Sequence, residues 1–108
     1  MYNQLIGEFR EVDIFYLYKM KTVRLKIAGK VQGVFFRASA KEIAHQHKVF
    51  GWIKNTVDDK VEAMITGEDK NIEKFIEWCK LGPEKARVTN VDIREEPLQL
   101  FNAFDIIR

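Results

Sequence analysis

Residues 29–37 read GKVQGVFFR: two glycines four apart, then two phenylalanines running into an arginine. Glycine lets a backbone turn without a Cβ clash, so successive N–H groups in such a stretch can converge on one concavity. At the start of a helix a concavity of this kind holds an anion, because the first helical N–H groups have no partner of their own. Arg37 falls in the first turn of the helix predicted to follow. A guanidinium is a poor neighbour for the positive end of a helix dipole, and a bound anion would reconcile the two. A plain strand-to-helix turn with a solvated arginine accounts for the glycines as well. The second stretch, GWIKNT at 51–56, puts Asn55 near the end of a strand and before a turn. A neutral amide has donors and an acceptor, so it can hold a water molecule and orient its lone pair. It can also simply cap the turn.

The rest of the chain supplies the elements that must position these residues. Val23, Leu25 and Ile27 alternate with Arg24, Lys26 and Ala28, the period-2 pattern of a half-buried strand, which Gly29 is expected to end. From Phe36, the residues Ala40, Ile43, Ala44 and His47 recur at helical spacing and predict a helix over 36–47. Phe50 to Thr56 and Lys60 to Gly67 read as two strands of a hairpin joined by Val57, Asp58 and Asp59. In the second of these, Val61, Ala63 and Ile65 share one face, opposite Glu62, Met64 and Thr66. Asp69 is placed to cap a second helix whose apolar stripe is Ile72, Phe75, Ile76 and Cys79, and Gly82 with Pro83 stops it. Val91 and Ile93 mark a fourth strand; Val88 has the opposite parity, which implies a bulge or a register change. Phe104 and Ile106 mark a short closing strand before Arg108. The order β-α-β-β-α-β with a closing strand predicts an α+β, ferredoxin-like sandwich, two helices on one face of a mostly antiparallel sheet. That architecture serves many functions and names none.

Composition narrows the field. The chain has 108 residues, 46% of them hydrophobic and 31% charged, as in an ordinary one-domain globular protein. A formal net charge of +2 is too mild to argue for nucleic acid. The single cysteine, Cys79, excludes an internal disulfide and a multi-thiolate metal site, and a reducing cytoplasm is the expected compartment. The only histidines, His45 and His47, have no partner cluster, so no metal is expected. The longest apolar-aromatic run, Ile14 to Tyr18, is far short of the roughly 20 residues that cross a membrane. Glu8, Glu11 and Asp13 argue against a signal or transit peptide. Leu5, Phe9, Val12 and Tyr16 fall at helical spacing, so residues 1–19 read as a short amphipathic helix or as an extension ahead of a domain over 20–108 that starts at Met20.

Taken together, GKVQGVFFR at 29–37 and GWIKN at 51–55 resemble the signature of the acylphosphatase family. The resemblance continues through NTVDDKVEAMITG, FIEWCKLGPEKARV and the closing FDIIR, and covers residues 20–108. It implies hydrolysis of a carboxyl-phosphate mixed anhydride, a small-molecule acylphosphate, with no cofactor and no metal. It also implies that the backbone N–H groups of Val31, Gln32, Gly33, Val34, Phe35, Phe36 and Arg37 cradle the phosphoryl oxygens, that Arg37 grips them, and that Asn55 orients the attacking water. The leaving group would be a carboxylate with a pKa of about 4, which departs without a proton, in keeping with the lack of a candidate acid in either motif. One departure is Asp59, where the family usually has glycine; aspartate tolerates positive φ better than most residues, so the turn is expected to survive.

Two other readings compete. Ferredoxin-like sheets with exposed aromatics bind RNA, but the third strand, KVEAMIT, carries none. The other is a non-catalytic or specialised relative: acylphosphatase-like domains also open longer hydrogenase-maturation proteins that handle carbamoyl phosphate and carry cysteine-rich segments after the domain; this sequence reads to Arg108 without them, so a free-standing monomeric hydrolase is the expectation, with no nucleic-acid or membrane partner. The remaining polar and aromatic residues read blandly: Cys79, Trp52 and Trp78 as packing, Glu62 and Asp58 as solvated hairpin charges.

Overall fold

The computed structural model describes residues 18–108. Seven elements follow in chain order: β1 (Met20–Lys30), α1 (Phe36–Gln46), β2 (Phe50–Asn55), β3 (Val61–Glu68), α2 (Asp69–Leu81), β4 (Arg87–Glu96) and β5 (Phe104–Ile107). The leucine, phenylalanine, valine and tyrosine stripe at residues 5–16 lies outside the described residues. The five strands form one sheet in the order β4-β1-β3-β2-β5, antiparallel throughout except that β5 runs parallel to β2. The expected α+β ferredoxin-like architecture is the one observed.

Alternation sets the core. Val23, Leu25 and Ile27 of β1 and Val61, Ala63 and Ile65 of β3 are buried beneath the helices. Phe36, Ala40 and Ala44 of α1 and Ile72, Phe75, Ile76 and Cys79 of α2 close over them. Phe36 and Trp78 meet with ring centroids 5.2 Å apart, which ties the first turn of α1 to α2. Because the first turn of α1 carries Arg37, this contact also steadies the candidate site.

Several local expectations need correction. β1 does not end at Gly29 but runs on to Lys30 through a register shift of the kind Val88 implied, since Ala28 pairs with Asn90 and Gly29 with Val88. Gly29 has φ 123°, and a Cβ there would stand 2.0 Å from the Arg87 carbonyl oxygen. This glycine lets β4 approach β1 and is not part of the turn. Asp69 does not cap α2: Glu68 holds the N-cap position with no side-chain bond, and Asp69, in the first turn, pairs with Lys21 at 2.5 Å. That bond raises the Lys21 ammonium above its ordinary value. α1 ends at Gln46, with His47 as its C-cap.

The face of the sheet away from the helices is also less open than alternation suggests. Residues 97–103 connect β4 to β5 across it. The Thr22 hydroxyl lies 2.6 Å from that of Thr66, which donates to the Gln99 carbonyl at 2.6 Å, while the Gln99 N–H donates to Thr22 at 2.9 Å. Thr22 and Thr66 are therefore buried, and Met64 with them. Glu62, read as a solvated hairpin charge, accepts from Arg24 at 2.6 Å and lies 3.9 Å from Lys54. Glu96 accepts from Arg24 on its other side at 3.2 Å. Asp58 is likewise engaged: it accepts from the Thr56 hydroxyl and lies near Lys26 and Lys60. The Thr56 bond, aided by these cations, holds the Asp58 carboxyl below its usual range.

Candidate active site

The five residues between β1 and α1 owe their shape to two buried anchors and two residues of positive φ. Val31 and Val34 are sunk in the core. Between and after them Gly33 has φ 74° and Phe35 has φ 65°. Gly33 reaches this region freely; Phe35 does not, since a bulky side chain there is a genuine outlier that costs on the order of 1–3 kcal/mol. Phe35 occupies the N-cap of α1, makes no side-chain cap and leaves its ring exposed. The first backbone bond of the helix runs from the Ser39 N–H to the Phe35 carbonyl at 3.1 Å. The first turn of α1 thus has N–H groups without a capping side chain and no acidic residue to meet them. Such a start can receive an anion.

Arg37 stands beside this opening, half-buried. It lines a cleft of about 410 Å³ with Val31, Gly33, Phe35 and Phe36 on one side and with Ile106 and Arg108 of the β5 end on the other. Five of the expected phosphate-binding residues, counting Arg37, therefore share one cleft. Val34 faces the core instead. Gln32 turns away from the cleft altogether: its Nε2 donates to the carbonyls of Thr56 and Lys60, each at 2.9 Å. The loop is stapled in this way to the β2–β3 turn, one residue from Asn55.

Asn55 is the last residue of β2 and pairs with Val61, which on its other side pairs with Ile27 of β1. Two strand spacings of about 4.8 Å thus separate it from Ile27, three residues before β1 ends. By alternation its side chain points to the helix face, as that of Ile53 does. Its Oδ1 is buried and meets no hydrogen-bond donor among the described residues. Asn55 does not line the Arg37 cleft; it borders a neighbouring groove with Lys54, Thr56 and Glu62. What joins it to the loop between β1 and α1 is the Gln32 link.

Sequence reasoning passed over Arg108. The parallel pairing of Lys54 with Ile107 carries Arg108 to the level of Asn55 and into the cleft wall. No local signal announces this, because it depends on pairing between residues far apart in the chain. Asp59 behaves as expected: its φ is 66° and the hairpin closes, with the Thr56 N–H on the Lys60 carbonyl at 2.8 Å.

Comparison with known proteins agrees with the geometry. The acylphosphatase family model matches residues 23–106. An acylphosphatase of Acaryochloris marina is 48% identical over 82 residues, which span 76% of this chain and 88% of that protein. An acylphosphatase structure from Coxiella burnetii superposes with a TM-score of 0.81 at 33% identity, covering 83% of this chain and 95% of the other. Full-length HypF in its phosphate- and nucleotide-bound form superposes with a TM-score of 0.74 at 26% identity over 82% of this chain, but this is only 12% of that longer one.

Proposed function

This chain belongs to the acylphosphatase family and hydrolyses acylphosphates, and we propose that it does so by direct in-line attack of a water oriented by Asn55 on a phosphoryl group held by the 29–37 loop and Arg37. The N–H groups of residues 31–37 receive the phosphoryl oxygens at the uncapped start of α1, where the helix dipole favours negative charge. Arg37 adds two donors in a planar fork that matches two oxygens at once, a geometry that lysine lacks. Asn55 accepts a hydrogen bond from the water through Oδ1, which directs the water's lone pair at phosphorus. Opposite the water, the carboxylate leaves without protonation. The water's proton passes to a phosphoryl oxygen of the substrate, so no side chain is asked to act as a base. Positioning and charge stabilisation supply most of the rate enhancement in such a transfer.

The observation that carries this reading is the unmet acceptor of Asn55. An acceptor that no protein donor meets is free to hold a water bridging Asn55 to a bound phosphoryl group. Among the described residues no three of His, Cys, Asp or Glu gather where they could hold a metal ion, and the proposed mechanism asks only for the loop, the arginine and the amide. No helix of the described residues is long and apolar enough to cross a membrane. The reading extends to a monomer, its catalytic domain spanning 20–108, working on a small molecule in the cytoplasm and without a nucleic-acid partner.

Titration with inorganic phosphate tests the site. Amide shifts should cluster at residues 31–37, and phosphate should compete with an aryl acylphosphate in steady-state hydrolysis. Shifts confined to the hairpin tip around Asp58, or hydrolysis indifferent to phosphate, would place the reaction elsewhere.

A further inference from the structure

Two clusters of cations in the described chain differ in how they are neutralised. On the sheet face away from the helices, Arg24, Lys26, Lys54 and Lys60 each have a carboxylate of Glu62, Glu96 or Asp58 within 4.0 Å. Beside the phosphate loop the situation is reversed. Lys30, Lys85 and Arg87 line a second cleft, of about 470 Å³, whose only carboxylate is Glu84, and none of the three makes an ion pair among the described residues. Gly33 is common to this cleft and to the Arg37 cleft. The two openings meet at one loop.

Register sharpens the point. Lys30 and Arg87 stand opposite each other across the β1–β4 ladder, and like charges so placed repel. Arg24 and Arg94 are opposed in the same way, but Glu62 and Glu96 bracket Arg24. Among the described residues no carboxylate lies within 4.0 Å of Lys30 or Arg87. The strand order then says what such a cation cluster faces. β4 lies on one side of β1 and β2 on the other, beyond β3, so Arg87 and Asn55 flank the phosphate loop from opposite sides. In an in-line displacement the leaving group departs away from the attacking water. A water held by Asn55 therefore directs the acyl portion of the substrate toward β4.

We propose that Lys30, Lys85 and Arg87 form a second anion subsite that takes a carboxylate or phosphate carried on the acyl portion, so that acylphosphates with a second anionic group are favoured over those with an uncharged acyl group. The proposal rests on the in-line reading above. The full chain and its Lys85→Gln/Arg87→Gln variant are assayed side by side on benzoyl phosphate and on 3-carboxybenzoyl phosphate. The unaltered chain should have the higher kcat/KM on the carboxylated substrate. The variant should lose about tenfold there, mostly through KM, the scale of two exposed ion pairs, while benzoyl phosphate shifts by less than about twofold. An equal loss on both substrates, or no loss on either, overturns the subsite. Failure of the unaltered chain to hydrolyse benzoyl phosphate at all would instead strike the hydrolytic reading. If the double variant does not fold, Lys85→Gln alone, in the exposed turn before β4, carries the same comparison with an expected loss of about threefold on the carboxylated substrate.

Discussion

Arg37 and Asn55 carry different halves of the proposed work, so their loss should read out differently. Arg37→Lys keeps the charge beside the α1 start but replaces a fork with a point charge; both phosphate affinity and kcat/KM should stay badly impaired. Asn55→Ala leaves the loop and Arg37 in place and removes only the orienter of the water. Turnover should fall roughly 10²–10³-fold, as when one transition-state hydrogen bond is lost, while inhibition by phosphate hardly changes. Steady-state hydrolysis beside phosphate inhibition measures both, and an Asn55→Ala protein of normal turnover would remove Asn55 from the mechanism. Cys79 takes no part. It is fully buried, and burial pushes its thiol well above the ordinary value, so it stays protonated and unreactive.

Among the elements, the loop depends on how its two ends are tied, and Gly29 in β1 and Gly33 in the loop do separate jobs. At Gly29 a Cβ would run into the β4 backbone at 2.0 Å, and neither strand can yield without breaking the ladder. Gly29→Ala should therefore cost about 3 kcal/mol, the upper end of overpacking. At Gly33 a Cβ meets nothing within 4 Å, so Ala there costs only its left-handed conformation, about 1–2 kcal/mol. Denaturant unfolding of the two variants gives the comparison, and equal losses would contradict it. Gln32→Ala removes two bonds that hold the loop to the β2–β3 turn. Stability should drop by about 1–2 kcal/mol, two hydrogen bonds' worth. Turnover should drop more than phosphate affinity does, because the loop survives while Asn55 loses its registration. A Gln32→Ala protein with full turnover would show that the staple positions nothing.

For the whole molecule, the sheet and helices between Met20 and Ile107 already enclose a continuous core, with Phe104 of β5 packed on Phe75 of α2 at 5.8 Å between ring centroids. A chain that begins at Met20 should accordingly fold and keep its turnover. Thermal melting and hydrolysis test this; a melting point lower by more than about 10 °C would mean that residues ahead of Met20 contribute a few kcal/mol to the domain.

Much of this protein could be read from local pattern. Alternation at Val23, Leu25 and Ile27 and helical spacing at Ile72, Phe75, Ile76 and Cys79 mark strand and helix, because each records which side of one element meets the core. The glycine loop, Arg37 and Asn55 stand out as candidates, and Asp59 is legible as a tolerant turn residue, for the same reason: residue type and nearby spacing mark them. Pairing is another matter. That Gly29 makes room for Arg87, that Glu62 sits between Arg24 and Lys54, and that β5 lies parallel to β2 so that Arg108 reaches the cleft are facts about residues distant in the chain. Gln32 is the clearest case. As one residue of a loop motif it reads as a backbone donor, yet its side chain ties the loop to a turn that closes only when β2 and β3 have paired. Side-chain type and short-range period are written locally; register between strands is decided by closure of the sheet over its core.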